Sequence, residues 1–287
     1  MMFEHFLITQ FNLLQFPNSA NTDRESWIDW TRKRFVIFQR FCLPSLVHQT
    51  NKNFKWLIYF DTATPSDFDE QISELKQYQF INICYADGYN DFHTKYIDDI
   101  RRIMSPDTEW MITSRLDNDD LLHCYAVDRI QSEFVPKDQF MISLTSGYVY
   151  DMETQKMSKY YYPMSPFISI IERNTPSVLG IYHKFHSEWK CLRLHILKEI
   201  YRHFFVNRMQ QTVCFIIDKP LWVQLYHGGN VSNSFYRGFP VLNAKNLKDF
   251  GINQISRSSS IKDIFKYYNY VWWKRYIKAT IVRIVKF

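Results

Sequence analysis

Met111-Ile-Thr-Ser-Arg-Leu-Asp-Asn-Asp-Asp120 runs from apolar and β-branched residues straight into three carboxylates, Asp117, Asp119 and Asp120. A buried strand reads this way when its C-terminal end opens into a polar site. In extended backbone Asp117 and Asp119 point to the same side. Like charges held that close are costly unless a cation or hydrogen-bond donors lie between them. Hard carboxylate oxygens suit Mg²⁺ or Mn²⁺, ions that commonly share their coordination with substrate phosphates. The stretch therefore suggests a metal-bridged diphosphate site.

Working outward, residues 6–11 read as a first strand closed by Asn12, residues 56–60 as a second ending at Asp61, residues 80–85 as a third, and residues 109–116 as the fourth. Helices are expected over 24–47, 64–77, 91–104 and 122–134. In the first of these Trp27, Trp30, Arg34, Ile37, Phe38 and Phe41 recur at a roughly helical period, and Pro44 lies near its end. Apolar strands alternating with amphipathic helices predict a parallel α/β sheet. Ligands bind beyond the carboxyl ends of such strands, and Asn12, Asp61, Asp87 and Asp117 all fall there. The second half changes character. Residues 140–150 and 167–172 read as strands of an antiparallel or mixed sheet, 188–206 as a helix and 213–217 as a further strand.

The 287 residues are 46% hydrophobic and 18% aromatic, enough for a substantial core. A formal charge of +6 with 22% charged residues excludes a disordered or purely nucleic-acid-binding chain. With only seven glycines and neither a GxGxxG nor a P-loop pattern, no Gly-rich phosphate cradle is expected. Any bound phosphate must then be held by carboxylates and a metal. Cys42, Cys84, Cys124, Cys191 and Cys214 are odd in number and widely spaced, which reads as reduced core thiols. The N-terminus lacks the pattern of a signal peptide, and no run of about 18 apolar residues occurs.

Five blocks in order resemble the "putative rhamnosyltransferase" family of bacterial surface-polysaccharide clusters. They are Phe6-Leu-Ile-Thr-Gln-Phe-Asn12, Phe41-Cys-Leu-Pro-Ser45, Trp56-Leu-Ile-Tyr-Phe-Asp61, Ser114-Arg-Leu-Asp-Asn-Asp-Asp120 and Trp222-Val-Gln-Leu-Tyr-His-Gly-Gly-Asn-Val-Ser232. The resemblance spans residues 3–235. It implies a GT-A (Rossmann-like) glycosyltransferase fold, a mixed and mainly parallel sheet flanked by helices. It also implies a nucleotide-diphosphate sugar donor and a divalent metal, Mn²⁺ or Mg²⁺, at a DxD motif. On that basis Asp119 is the expected metal ligand, with Asp117 sharing the ion or holding the ribose and His227 completing the metal shell. Asn12, Asp61 and Arg115 are expected on the donor. The catalytic base, a carboxylate that takes the acceptor's proton, is left open between Glu188 and Asp218, with Glu172 also possible.

Bland readings stand beside these. The acids could cap and complement a following helix, Asp61 could close an Asx turn, and Arg115 could form a surface ion pair. Two other functions use the same residues: a metal-dependent phosphohydrolase or nuclease, and a non-catalytic scaffold that binds glycans or lipids.

A GT-A domain is expected over 1–256, its nucleotide-sugar half about 1–135 and its acceptor half about 136–256. A basic, aromatic helical extension follows over 257–287. Residues 261–287 carry seven Lys and Arg against Asp263 alone, interleaved with tyrosine and tryptophan. This suits an anionic membrane surface, with nucleic acid a weaker match and a packed terminal helix the plain alternative. The expected location is cytoplasmic, peripheral at the inner face of the membrane, acting on a glycan or lipid-linked acceptor.

Overall fold

A computed structural model describes residues 2–15, 23–163, 165–184, 188, 211–227 and 234–284. Its centre is a seven-stranded sheet of β1 (Phe3–Gln10), β2 (Lys55–Asp61), β3 (Ile81–Ala86), β4 (Trp110–Arg115), β6 (Phe140–Leu144), β9 (Ile168–Arg173) and β10 (Val213–Ile216). The order is β3-β2-β1-β4-β9-β6-β10. Strand β9 alone is antiparallel to its neighbours, β4 and β6; every other pairing is parallel. The mixed, mainly parallel α/β class expected from the sequence is the one observed.

Sequence alternation explains why this sheet is covered on both sides. Leu7, Trp56, Ile58 and Phe60 join one apolar cluster with Phe35, Phe38 and Leu46. Phe6, Ile8, Leu57 and Tyr59 join another with Phe92, Tyr96 and Ile100. Strands buried on both faces read as near-continuous apolar runs.

The first cluster is roofed by α1 (Arg24–Ile37), a π-helical segment Phe38–Cys42 and α2 (Leu43–Val47). This is the helix expected over 24–47. Leu43 N–H bonds to Phe38 C=O, five residues back, immediately before Pro44. Proline has no N–H to continue the ladder, and a π segment absorbs the mismatch. Helix α3 (Asp69–Glu74) is flanked by 3₁₀ turns Ser66–Phe68 and Leu75–Gln77, and α4 (Gly88–Ile103) covers the second cluster.

A second sheet, ordered β12-β8-β7-β11-β5, comprises β5 (Asp120–Leu122), β7 (Ser146–Asp151), β8 (Met157–Tyr161), β11 (Trp222–Tyr226) and β12 (Phe239–Pro240). The chain crosses from the central sheet to this one in three places: β4 to β5, β6 to β7 and β10 to β11. Two expectations change accordingly, at 140–150 and at 122–134. Residues 140–150 are two strands in two sheets, divided at Thr145, whose hydroxyl and N–H both bond Ile216 C=O. Residues 222–226 form a strand. The helix expected over 122–134 begins only at α5 (Ala126–Ser132), because residues 120–122 pair with β11. The helix expected over 188–206 lies outside the described residues apart from Glu188.

Helix α6 (Ile261–Ile284) closes the described chain. Asp263 closes its first turn, its carboxylate accepting from both the Ser260 N–H and the Ser260 hydroxyl. No described helix is long and apolar enough to cross a membrane. Cys42, Cys84, Cys124 and Cys214 are all free thiols.

Candidate functional site

The acidic turn occupies the β4–β5 crossover, at the carboxyl edge of the central sheet. Asp120 N–H bonds Asp117 C=O at 3.2 Å, so the chain reverses within four residues. No helix starts here, and α5 has no side-chain cap at all. Helix capping therefore does not account for these acids.

Asp119 is the hub. Its Oδ2 accepts from the Arg34 guanidinium of α1 and lies 3.1 Å from His227 Nε2. Arg34 and Asp119 side chains are only 11% and 12% exposed. The antiparallel pairing of β5 with β11, Gln224 opposite Asp120, brings the end of β11 back over the turn and His227 with it. Arg34 also donates to Asn118 Oδ1 at 3.3 Å, while Asn118 Nδ2 donates to Phe11 C=O at 2.6 Å, which ties the turn to the end of β1. The Trp30 ring lies 4.9 Å from the guanidinium.

The electrostatics separate the acids. Burial works against ionising Asp119, but the His227 hydrogen bond and the Arg34 charge outweigh it and hold its carboxyl below the ordinary carboxylate range. At Asp120 the balance is reversed. Burial first, then the charges of Asp119 and Asp117, outweigh Arg115 and Arg34 and push it well above the usual range. The same burial and the same carboxylates hold the Cys42 thiol protonated.

Asp117 stands apart from this hub. Its carboxylate accepts from Arg115 at 3.2 Å, and its side chain is 41% exposed. The Arg115 guanidinium lies 5.6 Å from the Tyr182 ring, and Tyr182 donates to Ile8 C=O. Burial opposes the charge on Arg115, and Asp117 more than restores it. Burial raises the Tyr89 hydroxyl; Arg115 opposes that rise and Glu188 adds to it, which puts Glu188 in the same neighbourhood.

Asn12 and Asp61 are brought together, 2% and 1% exposed. Asp61 accepts from the backbone N–H groups of Leu14, Ala63 and Gly88, one from each loop after β1, β2 and β3. Asn12 Oδ1 accepts from Asp61 N–H, and its Nδ2 donates to Thr64. In this state both side chains hold the chain's own loops. Asp218 follows β10 and is paired with Arg129 of α5 at 2.9 Å. Glu172 accepts from Leu179 and Gly180 N–H, which accounts for its carboxylate. Residues 228–230, which follow His227 in the fifth block, lie outside the described residues.

Carboxylate oxygen and imidazole nitrogen together suit Mn²⁺. Two ligand atoms each about 2.1 Å from one ion at a right angle lie about 3 Å apart, and the Asp119–His227 pair stands at 3.1 Å. Asp119 and His227 therefore fit such an ion, with Arg34 competing for the same oxygen. Among the described residues, the set of three metal-capable side chains within 4.8 Å of one another lies elsewhere, at His123, Cys124 and Asp249. There burial and then the Lys219 charge depress His123 to about 4, and its Nδ1 already accepts from Tyr125 N–H.

Arg34 was not among the expected site residues. Its signal was present: an arginine in the apolar register of α1, buried where that register predicts a hydrophobic residue.

No curated protein matches the chain. Among solved structures it is similar to TarS 1–349 of S. aureus, at 10% identity and a TM-score of 0.36, covering 78% of this chain and 60% of that one. TarS 1–349 in complex with UDP gives 10% identity and a TM-score of 0.36, over 79% and 61%. A "putative nucleotide-diphospho-sugar transferase" from Desulfovibrio desulfuricans G20 gives 12% identity and a TM-score of 0.38, over 78% and 81%. This chain thus spans about 60% of the length of those TarS structures. The profile described as "Putative rhamnosyl transferase" matches residues 27–237, a span that includes Arg34, the acidic turn and His227. The chain belongs to the putative rhamnosyl transferase family.

Proposed function

We propose that this chain is a metal-dependent glycosyltransferase. It moves rhamnose or another hexose from a nucleotide-diphosphate donor to a bacterial surface glycan or a lipid-linked acceptor. The observation that carries this reading is the ionised Asp119 joined to His227 across two strands at the carboxyl edge of the sheet, in a member of this family.

In this reading Asp119 and His227 hold Mn²⁺ or Mg²⁺, which when bound supplies Lewis-acid stabilisation of the departing diphosphate. Arg34 keeps Asp119 anionic whether or not the ion is present. Arg115, oriented by Asp117 and Tyr182, offers a fixed positive charge to a phosphate oxygen. Asp117 serves the ribose or shares the ion through water. Asn12 and Asp61 act by fixing the loops after β1, β2 and β3 as the platform for the nucleotide. Glu188, whose charge acts on the Tyr89 hydroxyl, takes the proton of the acceptor hydroxyl. Asp218, committed to Arg129, is the weaker candidate.

A thermal-shift screen of nucleoside diphosphates and their sugars, with Mn²⁺ or with EDTA, tests the class. Binding to the native state raises the midpoint by mass action. One nucleotide series should stabilise the protein with Mn²⁺ and fail to do so with EDTA. No shift with any nucleotide diphosphate rejects the proposal.

A further inference from the structure

Helix α6 carries two apolar stripes, and only one faces the protein. Ile264, Tyr267, Tyr270 and Val271 are half-buried. Tyr267 lies 5.4 Å from Phe239 and Tyr270 lies 6.5 Å from Tyr236, ring to ring. Asp263, on the same side, is buried and pairs with Lys156 at 2.8 Å. The opposite side presents Ile261, Phe265 and Tyr268 at 70%, 67% and 59% exposure, and Trp272, one turn further, at 59%. These positions are spaced four, three and four residues apart, the spacing of one helix face. A helix packed on a domain normally turns a charged face to water; this one turns aromatic rings outward.

We infer that this outer stripe seats α6 in the interface of an anionic phospholipid bilayer. The charge selects that occupant. Lys262 and Lys266 are both exposed, on one side of the helix beside the stripe. The acid of the segment, Asp263, is buried and paired with Lys156, so it does not oppose an anionic surface. A second copy laid on the same stripe brings lysine flanks together, whereas anionic headgroups neutralise them. Tyrosine and tryptophan, apolar with one polar edge, are the side chains that settle at headgroup level. A helix of 24 residues is about 36 Å long, and since no described helix can span a membrane, it lies along the surface. The inference does not depend on the transfer chemistry.

Flotation of the full chain with vesicles tests it, using phosphatidylcholine with and without about one-third phosphatidylglycerol. The chain should float with the anionic vesicles and its tryptophan emission should shift to the blue. Phe265→Ser/Tyr268→Ser, both at exposed positions and with folding checked by circular dichroism, should abolish flotation. Lys262→Gln/Lys266→Gln should weaken it about 25-fold, about five-fold for each charge. Four results would overturn the inference: no flotation, equal binding to pure phosphatidylcholine, binding that the Phe265/Tyr268 variant leaves unchanged, or a dimer abolished by that variant in a chain that ignores vesicles. Preference for a single-stranded RNA over anionic vesicles would overturn it too.

Discussion

Replacing Asp119 by asparagine should damage the fold as well as the chemistry, and the structure sets the size of the damage. Two opposite charges about 4 Å apart at an effective dielectric near 20 attract by about 4 kcal/mol. The Arg34–Asp119 contact is closer than that, between side chains 11% and 12% exposed. Removing one partner of a buried pair costs about 3–5 kcal/mol, because the remaining charge stays buried. Arg34 retains the Trp30 ring and the Asn118 carbonyl, so Asp119→Asn should fall at the low end, about 3 kcal/mol, or roughly 6–12 °C in midpoint. Arg34→Met/Asp119→Asn leaves neither charge behind. It should be more stable than the sum of the single losses by about 2 kcal/mol. Urea unfolding of wild type, the two single variants and the double variant closes the cycle. An Asp119→Asn protein within about 1 kcal/mol of wild type, or strictly additive losses, would refute the reasoning. Loss of activity in an Asp119 variant is therefore interpretable only beside its stability, and the double variant is the proper control.

Three further outcomes are expected. His5 is fully buried against Ser114 at 2.6 Å, and burial depresses it to about 3 from an ordinary 6.5. Below pH 6.5 the unfolded chain gains a proton that the native chain refuses, so stability should fall with pH until about pH 3, by up to about 1.4 kcal/mol per unit. Urea midpoints across that window should fall less steeply for His5→Gln; equal slopes would contradict the assignment. A Cβ at Gly147 would sit 2.0 Å from the Trp222 ring, which stacks on Phe167 at 4.6 Å. Gly147→Ala should cost at least about 2 kcal/mol, and a melting temperature equal to wild type would contradict this. Glu188→Gln should lower kcat by about 10²–10⁴, while Asp218→Asn, which releases the Arg129 ion pair, should leave kcat near wild type. The reverse pattern in a transfer assay would reassign the base.

The alternating α/β half was legible because its strands are covered on both faces. Runs such as Trp56 to Phe60, with every residue buried, have no solvent side to blur them. The second sheet was harder to read because three of its five strands, β5, β7 and β11, follow directly on central ones. Residues 140–150 read as strand sequence throughout, and the crossing between sheets falls at the doubly bonded Thr145. Nothing local in Asp120-Leu-Leu122 distinguishes a helix start from a strand; its partner, β11, lies about a hundred residues on. The acidic turn itself was readable as a polar opening at a strand end. Its division of labour was not. Asp117 and Asp119, expected to share one ion, have different partners because the turn reverses between them: Arg115 for one, Arg34 with His227 for the other. Asp61 shows a related limit, since a strand-end aspartate does not reveal that three loop N–H groups will reach it.

Electron paramagnetic resonance of Mn²⁺ tests the central claim most directly, by titrating the chain into Mn²⁺ with the nucleoside diphosphate that the thermal screen selects. The free-ion signal should fall further with protein, nucleotide and metal together than with nucleotide and metal alone. His227→Ala, folded to the wild-type midpoint, should remove that extra loss. A signal unaffected by the protein, or quenched equally by the His227 variant, would contradict the assignment of Asp119 and His227 as the metal ligands of the donor site.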